Sequence, residues 1–200
     1  MKPLLSLLGL PFLFALLTTP PARAQVADTL ALQPESKLWI EGASNKKKAW
    51  RANAGEMTGS AVVVDASAAL PALVGGSLTI SSEQITGDVA TGKFIMNRLI
   101  REALKVKEHP EITYTLESAE VVEDGAPFRL RTTGTLTLAG VSRPIEMTFT
   151  GTRTDDGGLH LTGQYGLSMP DYDIKPPSIR TLGYHVGRDV VVHFDLLFAP

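Results

Sequence analysis

Residues 134–149 read GTLTLAGVSRPIEMTF. Leu136 and Leu138 alternate with Thr135 and Thr137, the period of two that marks a strand with one buried face. The alternation breaks between Ala139 and Arg143, where Gly140 suits the positive φ of a tight turn. Pro144 has no N–H to donate and suits the first residue of the next strand. Ile145, Met147 and Phe149 then alternate with Glu146 and Thr148. The unit is a predicted β-hairpin with its large apolar side chains on one face.

Outward from the hairpin the same period recurs. Strands are expected over 37–41, 56–65, 76–82, 111–122, 128–138, 159–167 and 189–198. With the second arm of the hairpin the count is about eight, a number at which an antiparallel sheet can close around one small ligand. A turn of helix is expected within 66–76, closed by Gly75 and Gly76. The period changes once, over 94–107. There Met96, Leu99, Ile100, Ala103 and Leu104 fall three and four apart, with Arg98, Arg101, Glu102 and Lys105 on the other side. This predicts one amphipathic helix of about four turns, packed by its Leu99/Ala103 face and stopped by His109-Pro110. The segment 168–184 carries Pro170, Pro176 and Pro177, is irregular, and is long for a loop in a compact domain.

The chain has 200 residues, 44% hydrophobic and 20% charged, enough for one domain with a sizeable core. A formal charge of −2 leaves no basic excess for neutralising phosphates, which excludes nucleic acid as a partner. Lys2, the apolar run 4–17 and Ala22-Arg23-Ala24 form a secretory signal with cleavage expected after Ala24. The apolar run is shorter than the ~20 residues a membrane span needs. The expected organisation is a signal peptide at 1–24, a flexible leader at 25–35 and a barrel domain at 36–200, in a periplasmic or secreted protein. There is no cysteine, so the exported fold rests on its core and hydrogen bonds, and lipoprotein attachment is excluded.

No catalytic or metal constellation emerges. The four histidines, His109, His160, His185 and His193, form no H-E-x-x-H, and His160 and His193 fall at outward positions. There is no G-x-S-x-G. The carboxylate pairs Asp155/Asp156 and Asp171/Asp173 read as turn formers.

The stretch Gly134 to Pro144 resembles the signature hairpin of the YceI-like family of secreted, lipocalin-like barrels that bind polyisoprenoid lipids. Met96 to Leu104, followed by His109-Pro110-Glu111-Ile112-Thr113-Tyr114, is similar to that family's helix and following strand, in the same order and spacing. The resemblance covers roughly residues 36 to 198. Two departures stand out. The first strand, Leu38 to Ser44, lacks the family's usual histidine, and Arg180 to Arg188 is only loosely similar.

The expected fold is therefore all-β: a closed antiparallel eight-stranded lipocalin-like β-barrel with one inserted amphipathic α-helix. Val63, Ile80, Tyr114, Leu136, Met147, Phe149, Leu161 and Phe194 share the inward phase of different strands, and in a closed barrel those phases converge. Leu99, Ile100 and Ala103 supply a wall or lid from the helix. The small inward residues Gly59, Ala61, Gly134 and Gly163 leave volume. The resemblance implies a polyisoprenoid or isoprenoid-quinone ligand held there, in a carrier or reservoir and not an enzyme, with no other cofactor. Transient membrane contact for lipid exchange and a homodimer are further expectations. An enzyme on a small hydrophobic substrate, or a solid-core interaction module, are the alternatives.

Overall fold

The computed structural model describes residues 27–46, 49–64, 72–89 and 92–200. The signal peptide and cleavage site expected from the sequence lie outside the described residues. Among the described residues twelve strands and one α-helix follow one another. They are β1 (Ala27–Leu32), β2 (Lys37–Ser44), β3 (Trp50–Asn53), β4 (Met57–Val64), β5 (Ala72–Ser81), β6 (Thr86–Gly87), α1 (Lys93–Ala103), β7 (Glu111–Glu123), β8 (Phe128–Leu138), β9 (Val141–Arg153), β10 (Leu159–Ser168), β11 (Ser178–Ile179) and β12 (Tyr184–Ala199).

Eight of these close into a ring in the order β1-β4-β5-β7-β8-β9-β10-β12, and β12 returns to β1. Every pairing is antiparallel. β2 prolongs β1 beyond a short bend, and β3 precedes β4 across three residues, so each pair acts as one long bent strand. Counted that way the barrel is a plain meander in chain order. The predicted closed eight-stranded antiparallel barrel is the fold.

Closure rests on β12. One edge pairs with β10 from Asp189 to Phe198; the other pairs with β1 at Phe198 and Ala199 and with β2 from Asp195 back to Val186. At the bend between β1 and β2 the ladder would lapse. Gln33 donates its N–H to the Leu197 carbonyl at 2.8 Å, and the Ser36 hydroxyl accepts from the Leu197 N–H at 3.0 Å. Ser36 is buried, so its hydroxyl substitutes for a missing backbone partner.

The sequence-predicted leader at 25–35 is corrected here. Ala27–Leu32 is a barrel strand, with Leu30 only 1% exposed. Its strand identity comes from its partners β4 and β12, not from a local pattern. Of the helical turn expected within 66–76, the end at Gly75 and Gly76 is corrected: residues 72–76 begin β5, and Gly75 and Gly76 pair with Val62 and Ala61. Residues 65–71 lie outside the described residues.

The hairpin turn is tighter than the sequence suggests. Only Ala139 and Gly140 stand between β8 and β9, with φ of 50° and 84°. Two successive positive φ values match the right-handed twist of the strands they join. The His109 imidazole lies against Gly140, where a side chain would collide with it. Pro144 is the fourth residue of β9, not its first, and stands opposite Thr135. β10 pairs with β9 only from Phe149 to Arg153, so Pro144 occupies a stretch with one free edge, where a missing N–H costs no ladder bond.

The helix ends four residues before the expected Lys107. Lys105 adopts a left-handed φ of 52°; its N–H bonds the Glu102 carbonyl at 3.2 Å, and the Val106 N–H bonds that of Arg101 at 3.1 Å. This pair of bonds is the Schellman motif, with lysine where glycine is usual. The termination is complete before Pro110 is reached. At the other end Gly87 donates its N–H to Asn97 Oδ1 at 2.9 Å, and Met96 fills the space a side chain at 87 would need. No helix residue is fully buried, so the Leu99/Ala103 face does not pack into a solid core.

Substituting Ser36→Ala leaves both polar groups of Leu197 without their side-chain partner at the seam. The expected loss of stability is about 1–3 kcal/mol, read from urea denaturation at unchanged m-value.

Candidate functional site: an apolar cavity along the barrel axis

The inward side chains divide into two clusters. Leu30, Val63, Phe128, Leu130 and Leu159 pack with their neighbours into a solid floor at one end. Above it the ring encloses a cavity of about 630 Å³. Ala61, Leu73, Leu116, Leu196 and Phe198 line its depth; Ile80, Leu136, Met147, Phe149, Leu161 and Phe194 its wall. Its mouth lies under α1 and beside the segment 174–184, among Lys46, Gly92, Ile95, Leu182 and Tyr184. The barrel is thus not solid, and the volume falls within the range of small-molecule sites.

The helix spans the mouth with Met96, Leu99, Ile100 and Ala103 turned into the cavity. That explains their half-burial: one side of each faces protein and the other an open space. Ten of the eleven sequence-predicted residues line the cavity: Ile80, Leu99, Ile100, Ala103, Tyr114, Leu136, Met147, Phe149, Leu161 and Phe194. Val63 does not. It shares the face of Ala61 but stands two residues deeper, where β4 meets β1, and it is 1% exposed within the floor.

The expectation that small inward residues create the volume needs correction. The Tyr114 ring lies over Gly134, and Phe149 and Phe194 close over Gly163, meeting edge to face at 5.9 Å. A side chain at Gly59 would strike the Ser77 carbonyl. Only Ala61 of that set faces open space, joined by Gly75 and Gly76 of β5. The space comes from the ring's circumference together with β2 and β3, whose Leu38, Ile40, Trp50 and Ala52 extend the wall. The alternation Leu38/Ile40 was the signal for the first two; the Ala52 position depends on a pairing with Ile40 that no local pattern specifies.

The irregular segment after β10 is built into the mouth. Met169, Tyr172 and Ile174 are buried, Ser178–Ile179 pairs with the start of β12, and Arg143 Nε on β9 donates to the Asp171 carbonyl. Burial pushes the Tyr172 hydroxyl up to about 12, with neighbouring Tyr165 adding to it. Tyr165, which lines the cavity, is also raised, chiefly by burial and then by Asp171. Deeper in, the Tyr114 hydroxyl is buried and makes no well-formed hydrogen bond among the described residues; burial raises its pKa, and the Thr132 hydroxyl beside it lowers it in part. Polar atoms in the wall are otherwise few.

The outer face carries the titratable pairs. The His160 Nε2 and Asp195 Oδ1 atoms are 2.6 Å apart, and His193 stacks on Trp39 at 5.1 Å with Glu41 3.5 Å away. Arg51 covers the other side of Trp39 at 4.4 Å. Among the described residues no three His, Asp or Glu side chains stand close enough together to hold a metal ion. These pairs alternate along their strands with residues that face the cavity, so they take no part in it.

Residues 35–198 match the family model described as the YceI-like domain. No curated protein gives a significant sequence match. Among solved structures, the chain is similar to Burkholderia cenocepacia BcnA at 14% identity and a TM-score of 0.65, covering 82% of this chain and 96% of that one. It is similar to a polyisoprenoid binding domain from Saccharophagus degradans implicated in plant cell wall breakdown, at 17% identity and a TM-score of 0.65. That likeness covers 86% of this chain and 98% of the other. A Campylobacter jejuni YceI protein shares 21% identity and a TM-score of 0.54 over 73% and 82%. At these identities the likeness is one of fold.

Tyr114→Phe removes a buried hydroxyl that makes no well-formed hydrogen bond, with Thr132 beside it. The ligand-free protein should gain about 1 kcal/mol, measured by urea denaturation, because the desolvated hydroxyl is no longer carried.

Proposed function

This chain belongs to the YceI-like family, and from that premise we propose that it is an exported binding protein holding a polyisoprenoid or isoprenoid-quinone chain in its barrel. The observation that carries the reading is a cavity of about 630 Å³ walled almost wholly by carbon. Such a wall offers area and few directional bonds, which suits a long hydrocarbon whose burial is worth ~0.8 kcal/mol per CH₂. The Saccharophagus degradans structure, a polyisoprenoid binding domain of the same fold, supports it. The role is carrier or reservoir, not catalysis. The cavity gives a substrate few polar groups to react with, and the outer histidine–carboxylate pairs lie on the far side of the wall.

Export rests on the leader sequence. The mature protein should begin at Gln25, after Ala22-Arg23-Ala24. N-terminal sequencing of protein recovered from the periplasm or medium tests this, and an intact Met1 there would contradict it.

Organic extraction of purified protein followed by mass spectrometry should release an unchanged prenyl lipid; a turned-over product would favour an enzyme. With delipidated protein, affinity should rise about tenfold or more per added prenyl unit. At interior packing density a five-carbon unit takes on the order of 120 Å³, so the rise should flatten near roughly five enclosed units. Ala61 is 3% exposed at the cavity's depth. Ala61→Phe should therefore shorten the longest chain accepted. If no prenyl compound of any length binds delipidated protein, the reading is wrong.

A further inference from the structure

The helix has two faces. Met96, Leu99 and Ala103 look into the cavity, and helical periodicity sets Phe94, Arg98 and Arg101 on the opposite side. Phe94 is 79% exposed, the most of any large hydrophobic residue described. Across the mouth, on a separate element, Leu182 is 63% exposed, and Ile95 at the rim is 43% exposed. Three apolar side chains from two elements thus project around one opening without protein to cover them.

The charges beside them are mainly positive. Lys93 precedes Phe94, Arg101 shares its face, and Arg180 opens the short turn that ends at Leu182. The first turn of the helix carries no acidic residue. Of the nearby carboxylates, Glu102 is held by Arg98 at 3.6 Å, Asp88 stands just after β6, and Asp171 and Asp173 lie in the segment after β10, outnumbered by Lys46, Lys93, Arg101, Lys175 and Arg180 around the same opening. In a chain whose formal charge is −2, this is a local reversal of sign.

We infer that the mouth face, centred on the outer side of α1 and the turn at 180–182, docks peripherally on an anionic phospholipid surface. Exposed apolar side chains flanked by cations are the composition that enters the headgroup layer, with each cation drawn to a negative leaflet. Among the described residues no helix is long and apolar enough to cross a membrane, so the contact is superficial. It places the open end of the cavity against the phase in which a prenyl lipid dissolves. The inference deepens the binding reading above and rests on it for the reason the mouth should meet a membrane.

The test is flotation of the purified protein with phosphatidylcholine vesicles, with and without about 30% phosphatidylglycerol. The wild type should float with the anionic vesicles and be released by high salt. Phe94→Ser and Arg101→Glu should each lower the bound fraction about tenfold. Both side chains point away from the cavity, so prenyl affinity measured without vesicles should stay within about twofold of wild type. Failure of the wild type to float, or flotation of both variants like wild type, overturns the docking face. Retained prenyl binding in that case leaves the binding reading standing. Flotation without any prenyl binding would instead sink that reading and keep the face. If the protein is a dimer that Phe94→Ser dissociates, the face is an interface between copies and the inference is wrong.

Discussion

The structure depends on one backbone requirement, that β12 satisfy both of its edges along 16 residues. A β-sheet that does not close leaves a row of unpaired N–H and C=O groups, and a ring removes them. Four strands are recruited to β12 for this: β10 on one edge, β1 and β2 in succession on the other, and β11 at its start. Because no single straight strand follows the curved edge throughout, the chain bends between β1 and β2, and Ser36 carries the ladder over the bend. The cavity is a result of this closure. Eight strands fix a circumference, and the inward side chains fill it at the floor but not beneath the helix.

The division between floor and cavity follows from where the sheet is doubled in length. Near β1 the ring is narrowest in partners, and Leu30, Val63 and Phe128 meet across it. Where β2, β3 and β6 extend the wall, opposite sides hold apart and α1 spans the opening, tethered to β6 by Asn97 and Met96. A helix carried on a two-residue strand has one face over an empty space and one in water. That placement accounts for its amphipathic sequence better than packing on a core would.

Much of the barrel was legible because a period of two needs no knowledge of partners. Leu136, Leu138, Ile145, Met147 and Phe149 declare their phase locally, and the phases of six other segments agree with them. What escaped notice is specified by contacts distant in sequence. Ala27–Leu32 has few large apolar residues and becomes a strand because β4 and β12 lie beside it. Lys105 takes a conformation normally marked by glycine, so the helix end was invisible. Val63 had the right face and the wrong depth, since alternation gives the side of a wall but not the height along it. Gly134 and Gly163 looked like vacancies, yet each is the seat of a neighbour's ring.

The seam between β9 and β10 gives the wall an uneven stiffness. β10 is laddered to β12 over ten residue pairs but to β9 over only five, and Pro144 sits in the stretch of β9 beyond them. There the two sides are joined through the Arg143 bond to the Asp171 carbonyl, a side-chain tie and not a ladder. Under internal pressure a cylinder yields along its weakest generator, and in this barrel that line runs beside Met147, Tyr165 and Leu167 of the cavity wall. Along that line the wall is held by side chains, whereas on either side of it the strands are held by backbone ladders.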